Sequence, residues 1–136
     1  MEKIYRGMQN GAETIDKNFN ELAASKGKVL WSGSAKQGAT LTLNDNVQNY
    51  TMLVMVMYFG NGYHSSVFFP TDTTANCVAL NIYNSLSATI SICKYLLQKK
   101  SDTSYIVSLG RENSGSNTME GTTGVTGTVA KIVGIR

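Results

Sequence analysis

The residues best equipped for chemistry gather around one glycine-rich turn. Gly60-Asn61-Gly62 leads directly into Tyr63 and His64, the chain's only histidine. A ring, an imidazole and a carboxamide at one turn suit saccharide recognition, in which aromatic faces stack on sugars and short polar groups bond their hydroxyls. Asp72, Asn76, Tyr83 and Asn84 place carboxylate, amide and phenol groups at other turns. The candidate ligand-binding set is therefore Tyr63, His64, Asn61, Asp72 and Tyr83. The competing reading of both tyrosines is plain packing at strand ends. Gly60-Asn61-Gly62 has no following Lys-Ser/Thr and opens no helix, so it is a hairpin turn and not a phosphate loop.

Catalysis requires convergent groups, and the inventory is thin. Beyond residue 28 the carboxylates are Asp45, Asp72, Asp102, Glu112 and Glu120, all in expected turns or loops. No two form the pair that a glycosidase holds across a cleft. A Ser-His-Asp triad would have one possible base, and no Gly-x-Ser-x-Gly elbow supplies its nucleophile. No catalytic residue is assigned, and the expectation is a protein that is not an enzyme. Cys77 and Cys93 stand apart in apolar segments, with no Cys-x-x-Cys or histidine spacing. No metal site and no cofactor is expected. The two thiols could pair, but both also read as free, buried, small hydrophobes.

Composition narrows the class further. Of 136 residues 42% are hydrophobic and 15% charged, which argues against a disordered chain. The net charge of +3 is scattered, with Lys99-Lys100 the one adjacent basic pair. There is no basic stripe with interleaved aromatics, so nucleic acid is not an expected partner. The opening Met-Glu-Lys-Ile-Tyr-Arg has no apolar stretch of the signal-peptide kind. The longest apolar run, Met52 to Phe59, is too short to cross a bilayer as a helix. The expectation is synthesis in a cytoplasm and no membrane insertion.

Two kinds of element must position these groups. In residues 1–27, Asn10-Gly11 offers a helix start, Glu13 and Asp16 suit the first turns, and Gly27 is a stop. Ala12, Ile15, Phe19 and Leu22 recur at spacings of three and four, an apolar seam with Tyr5 and Met8 in the same register upstream. A helix of about 14 residues is marginal alone in water. Its seam must be covered, either by the chain's own head or by other chains.

From Lys28 the period changes to that of strands, predicted at 29–34, 40–43, 50–58, 65–69, 77–83, 88–97, 104–109 and 128–135. Polar turns separate them, and Arg111 to Gly127 reads as one long loop. Ile90 and Ile92 share one face, Ser91, Cys93 and Tyr95 the other. The strand 50–58 is apolar throughout and is expected to be covered on both faces. Trp31 is expected to anchor the core. Eight short strands without intervening helices predict a mainly β protein: an antiparallel, jelly-roll-like β-sandwich head over 28–136, preceded by a short N-terminal α-helix.

One segment adds what periodicity cannot. Residues 4–19 carry Tyr5-Arg6-Gly7-Met8 and then Asn10-Gly11-Ala12-Glu13-Thr14-Ile15. This motif resembles the opening of receptor-binding and lower-baseplate proteins of lactococcal siphophages. The ending Val129-Ala130-Lys131-Ile132-Val133-Gly134-Ile135 is similar to endings of siphophage tail proteins, and Val29-Leu30-Trp31-Ser32-Gly33 to starts of tail-fibre heads. The resemblance implies a homotrimer whose helices bundle at the head and plug into other baseplate or tail proteins. It implies a location at the virion's tail tip and host cell-wall polysaccharide as the ligand. The β-helical neck common in that family has no room here, and no binding residue carries over from it. The alternative expectation is a purely structural tail component without a ligand.

Overall fold

The structure is a computed structural model that describes Lys3 and residues 10–25, 27–82, 90–114 and 125–136, with side chains described for all of these except 20–25, 81–82, 90 and 114. Asn10 opens the helix α1 (Gly11–Ser25). Its carbonyl accepts the Thr14 N–H at 3.1 Å and the Thr14 hydroxyl at 3.3 Å. Glu13 lies in the first turn, where the helix dipole favours negative charge. Gly27, at φ 152°, then turns the chain into the first strand.

Among the described residues eight strands follow: β1 (Lys28–Ala35), β2 (Thr40–Thr42), β3 (Met52–Phe59), β4 (Gly62–Phe68), β5 (Thr74–Ile82), β6 (Ile90–Ser101), β7 (Ser104–Ser114) and β8 (Thr128–Ile135). They form two antiparallel sheets, ordered β1-β8-β3-β4 and β2-β7-β6-β5. The chain's two ends meet in the pairs β1–β8 and β2–β7, so the outer strands wrap as in a roll. Strands consecutive in the chain pair antiparallel in β3–β4 and in β5–β6–β7.

Local chemistry explains the turns. Gly60 and Asn61 both have positive φ, 60° and 64°, which makes the two-residue hairpin turn whose twist matches its strands. Asn46 opens a short 3-10 turn over Val47–Asn49, accepting the Gln48 N–H on its side chain. Asp72 accepts the Phe69 N–H at 2.8 Å and closes the turn from β4 to β5.

Alternation decides which residues enter the core. In β3, Leu53, Met55, Met57 and Phe59 are buried, while Met52, Val54 and Val56 are half-buried. They meet Cys77 and Ala79 of β5, Cys93, Tyr95 and Leu97 of β6, and Tyr105 and Val107 of β7 in one apolar cluster. Burying each such large side chain contributes about 1.5–3 kcal/mol.

Several expectations are corrected here. β3 is interior to its sheet, yet only one of its faces is buried, because among the described residues no further layer covers the other. Tyr50 belongs to the exit of the 3-10 turn, not to β3. β4 begins at Gly62, since the tight turn lets pairing start at Phe59↔Gly62. β7 runs on to Ser114, so the first residues of the expected Arg111–Gly127 loop are strand, and residues 115–124 lie outside the described set. Trp31 is half-buried at the core's margin, where its ring lies over Gly33.

Candidate functional site

The β3–β4 hairpin positions the site. With Gly60-Asn61 as a two-residue turn, the register sets Tyr58 opposite Tyr63 and Met57 opposite His64. Tyr58 and Tyr63 point away from the core, and their rings meet edge to face with centroids 5.1 Å apart. They remain 40% and 69% exposed. Cross-strand aromatic pairs of this kind contribute roughly 0.2–1 kcal/mol to the hairpin, so both rings are held in place while still presenting faces to solvent.

Around the pair, the same face carries Thr128, opposite Tyr58 on β8, and then Ser65 and Lys131, both opposite Val56. Lys131 is exposed. Asn61 stands exposed at the tip of the turn. The result is an aromatic shelf bordered by hydroxyls, an ammonium and an amide. Such a surface can stack against an apolar ring face and bond the hydroxyls at its rim.

Two other expected members of the set, His64 and Asp72, do not converge on it. Consecutive strand residues face opposite ways, so His64 turns from Tyr63 toward the core side. There its Nε2 lies 3.2 Å from the Phe59 carbonyl and its ring is tilted against Phe59. Asp72 sits at the far end of β4, about 20 Å along the strand from Tyr63. Tyr83 lies outside the described residues. Tyr58 was missed as a site residue because its segment read as a buried strand. The signal was nonetheless present: a two-residue turn at 60–61 necessarily faces residue 58 with residue 63.

The carboxylates have other work. Asp45 accepts the Tyr50 hydroxyl at 2.6 Å, the Asn46 N–H at 2.8 Å and the Asn49 amide at 3.0 Å, with Lys28 at 3.6 Å. The Tyr50 hydrogen bond, then that from Asn46, holds its carboxyl down at about 2. Asp102 takes Lys99 at 2.9 Å and the Gln48 amide at 3.2 Å, and both hydrogen bonds lower its pKa. Glu112 is buried and accepts both the Thr126 N–H and its hydroxyl at 2.7 Å. Each of these, like Asp72, closes a turn or ties down a strand end. Glu120 lies outside the described residues.

Cys77 and Cys93 are free and buried. Burial pushes Cys77 up to about 11, and burial followed by the Glu112 charge pushes Cys93 up to about 12. Cys77 pairs with Tyr95 and Cys93 with Ala79, so the thiols are diagonal across β5 and β6. Diagonal Cα atoms stand about 7–8 Å apart, beyond the roughly 6.8 Å that a disulfide spans.

The helix seam is exposed where its side chains are described. Among the described side chains of α1, Thr14 and Asn18 are buried, while Ile15 is 40% and Phe19 66% exposed. Ala12 is exposed as well. The side chain of Leu22 lies outside the described residues. Among the described residues, no strand packs broadly on α1. The helix is too short and too polar to cross a membrane.

No protein-family model matches the chain, and no curated protein matches it.

Proposed function

We propose that this protein is a phage tail-tip or baseplate receptor-binding protein that attaches the virion to its host by binding cell-surface saccharide. One observation carries the reading: Tyr58 and Tyr63 form a fixed, solvent-facing aromatic shelf on a rigid hairpin, ringed by Asn61, Ser65, Thr128 and Lys131. Loop tips and hairpins on a stiff sheet are where proteins place recognition groups. Two exposed rings held against each other lose little entropy when a ligand docks. The exposed Ile15–Phe19 stripe supports assembly through α1, with three copies joined at a helical axis and the head free to engage the cell. Neighbouring baseplate or tail proteins are the other partners in this reading.

A second reading, a structural tail component without a ligand, has its own observation. The outer face of the β1–β8–β3–β4 sheet holds a row of valines, Val29, Val133, Val54 and Val67, one from each strand. Such a row suits protein packing better than sugar binding. A calorimetric screen of purified host wall polysaccharides and their oligosaccharides separates the two readings. Binding that weakens about tenfold or more in Tyr63→Ala, a loss of roughly 1.4 kcal/mol, supports recognition. No heat from any wall saccharide at millimolar concentration overturns recognition and leaves the structural reading.

A further inference from the structure

The edges of this sandwich are unequally guarded. An edge strand presents a row of unpaired N–H and C=O groups, and proteins blunt it with charge, proline, bulges or brevity. β1 starts on Lys28 and breaks register twice against β8. β2 is only three residues long. β4 is unbroken in register and carries no acid, lysine, arginine or proline, but it is shorter, at seven residues, and its centre is the polar run His64-Ser65-Ser66. β5 uses none of these devices.

β5 spans nine residues, TANCVALNI, with no charge and no proline. It pairs with β6 without a break from Thr74↔Gln98 to Ile82↔Ile90. Among the described residues, no strand pairs with its other side. Its outward side chains Val78 and Leu80 are 54% and 56% exposed. An unbroken, uncharged edge flanked by exposed aliphatic groups is a template for another strand.

We propose that β5 pairs antiparallel with β5 of a second copy of this chain, joining two four-stranded sheets into one of eight strands across a two-fold axis. The strand is self-complementary. Centred on Val78, the pairing sets Val78 against Val78 and Asn76 beside Leu80 on the outer face, and Cys77 beside Ala79 on the inner face. No charge opposes another at the seam. The nearest is Lys94, cross-strand partner of Val78 on β6. The two Lys94 would stand three strand spacings apart, about 14 Å. That exceeds the Debye length of about 8–10 Å at moderate salt, so their repulsion is largely screened. An isologous contact also closes on itself. Once the two β5 edges are used, the contact itself offers no site for further growth.

The pairing is independent of the saccharide shelf and of the α1 seam. The test is light scattering on the full chain across concentration in Phe19→Asp, which isolates the contact from helix association. The mass should double with concentration, and adding Val78→Lys, which sets two ammonium groups face to face at the centre, should abolish the doubling. Amide exchange in β5 should slow at alternate residues as the doubled species forms, a readout that needs no variant. Three results would each overturn the proposal: a mass that stays constant up to about 1 mM, doubling that persists in a folded Val78→Lys protein, or growth past a doubling into open-ended chains. Unchanged exchange in β5 on doubling overturns it too.

Discussion

At the scale of single residues, neighbours in sequence part company. Tyr63 and His64 adjoin along the chain but face opposite sides of β4, because a strand turns each successive side chain over. Tyr63 joins Tyr58 on the outer shelf, and His64 contacts the Phe59 carbonyl instead. Under the attachment reading, Tyr63→Ala and Tyr58→Ala should each weaken saccharide binding, while His64→Ala should bind as the native protein does. Titration calorimetry on all three variants checks this, and equal losses in Tyr63→Ala and His64→Ala would place the ligand elsewhere. Asp45 gives a second residue-scale prediction. Its carboxyl is held at about 2 against an ordinary 3.8, chiefly by Tyr50. The folded chain therefore binds that proton less readily than the unfolded chain. The resulting stability is fully present above about pH 4 and is lost as pH falls toward 2. Denaturant midpoints measured across that window should decline in the native protein and decline less in Asp45→Asn.

At the scale of elements, register decides what alternation alone leaves open. Pairing of Cys77 with Tyr95 and of Cys93 with Ala79 makes the thiols diagonal, sealed between the sheets, and raised to about 11 and 12. Reactivity belongs to the thiolate, so both groups should resist an aromatic disulfide reagent at pH 8 and release two equivalents only in denaturant. Rapid reaction of either thiol in the native protein would contradict the sealed geometry. The hairpin β3–β4 shows the same principle on the outer face. Its two-residue turn, and no long-range contact, sets Tyr58 against Tyr63.

At the scale of the whole molecule, the helix leaves Ile15 and Phe19 exposed while Thr14 and Asn18 are buried. In the trimeric reading, association through this exposed stripe supplies the stability that so short a helix lacks alone in water. In the trimeric reading, Phe19→Asp gathers three carboxylates near one axis, and burying unpaired charge there costs several kcal/mol. In dilute solution the native protein should scatter as about three chains of 14.7 kDa and the variant as one. A native protein that remains a single chain at all concentrations would sink both this assembly and the β5 pairing.

Much of this architecture is legible in the chain itself. The change from a three-to-four spacing in Ala12, Ile15 and Phe19 to alternation beyond Lys28 separates helix from sandwich. Glycines, asparagines and aspartates mark the turns between eight strands, because these signals act within a few residues. Ser91-Ile92-Cys93-Lys94-Tyr95 even reveals its two faces. Three features needed the tertiary structure. The near-continuous apolar run of β3 looks buried on both sides, but only the stacking of layers decides that its outer face stays open. Tyr63 and His64 look like one site until the start of β4 is known, since a shift of strand boundary by a few residues converts a loop tip into two opposed faces. The seam of α1 looks equally able to cover the head or another chain, because periodicity defines a stripe but not what it faces. In the structure Ile15 and Phe19 are exposed and, among the described residues, no strand packs broadly on α1, so tertiary packing and not periodicity decides that the stripe lies open.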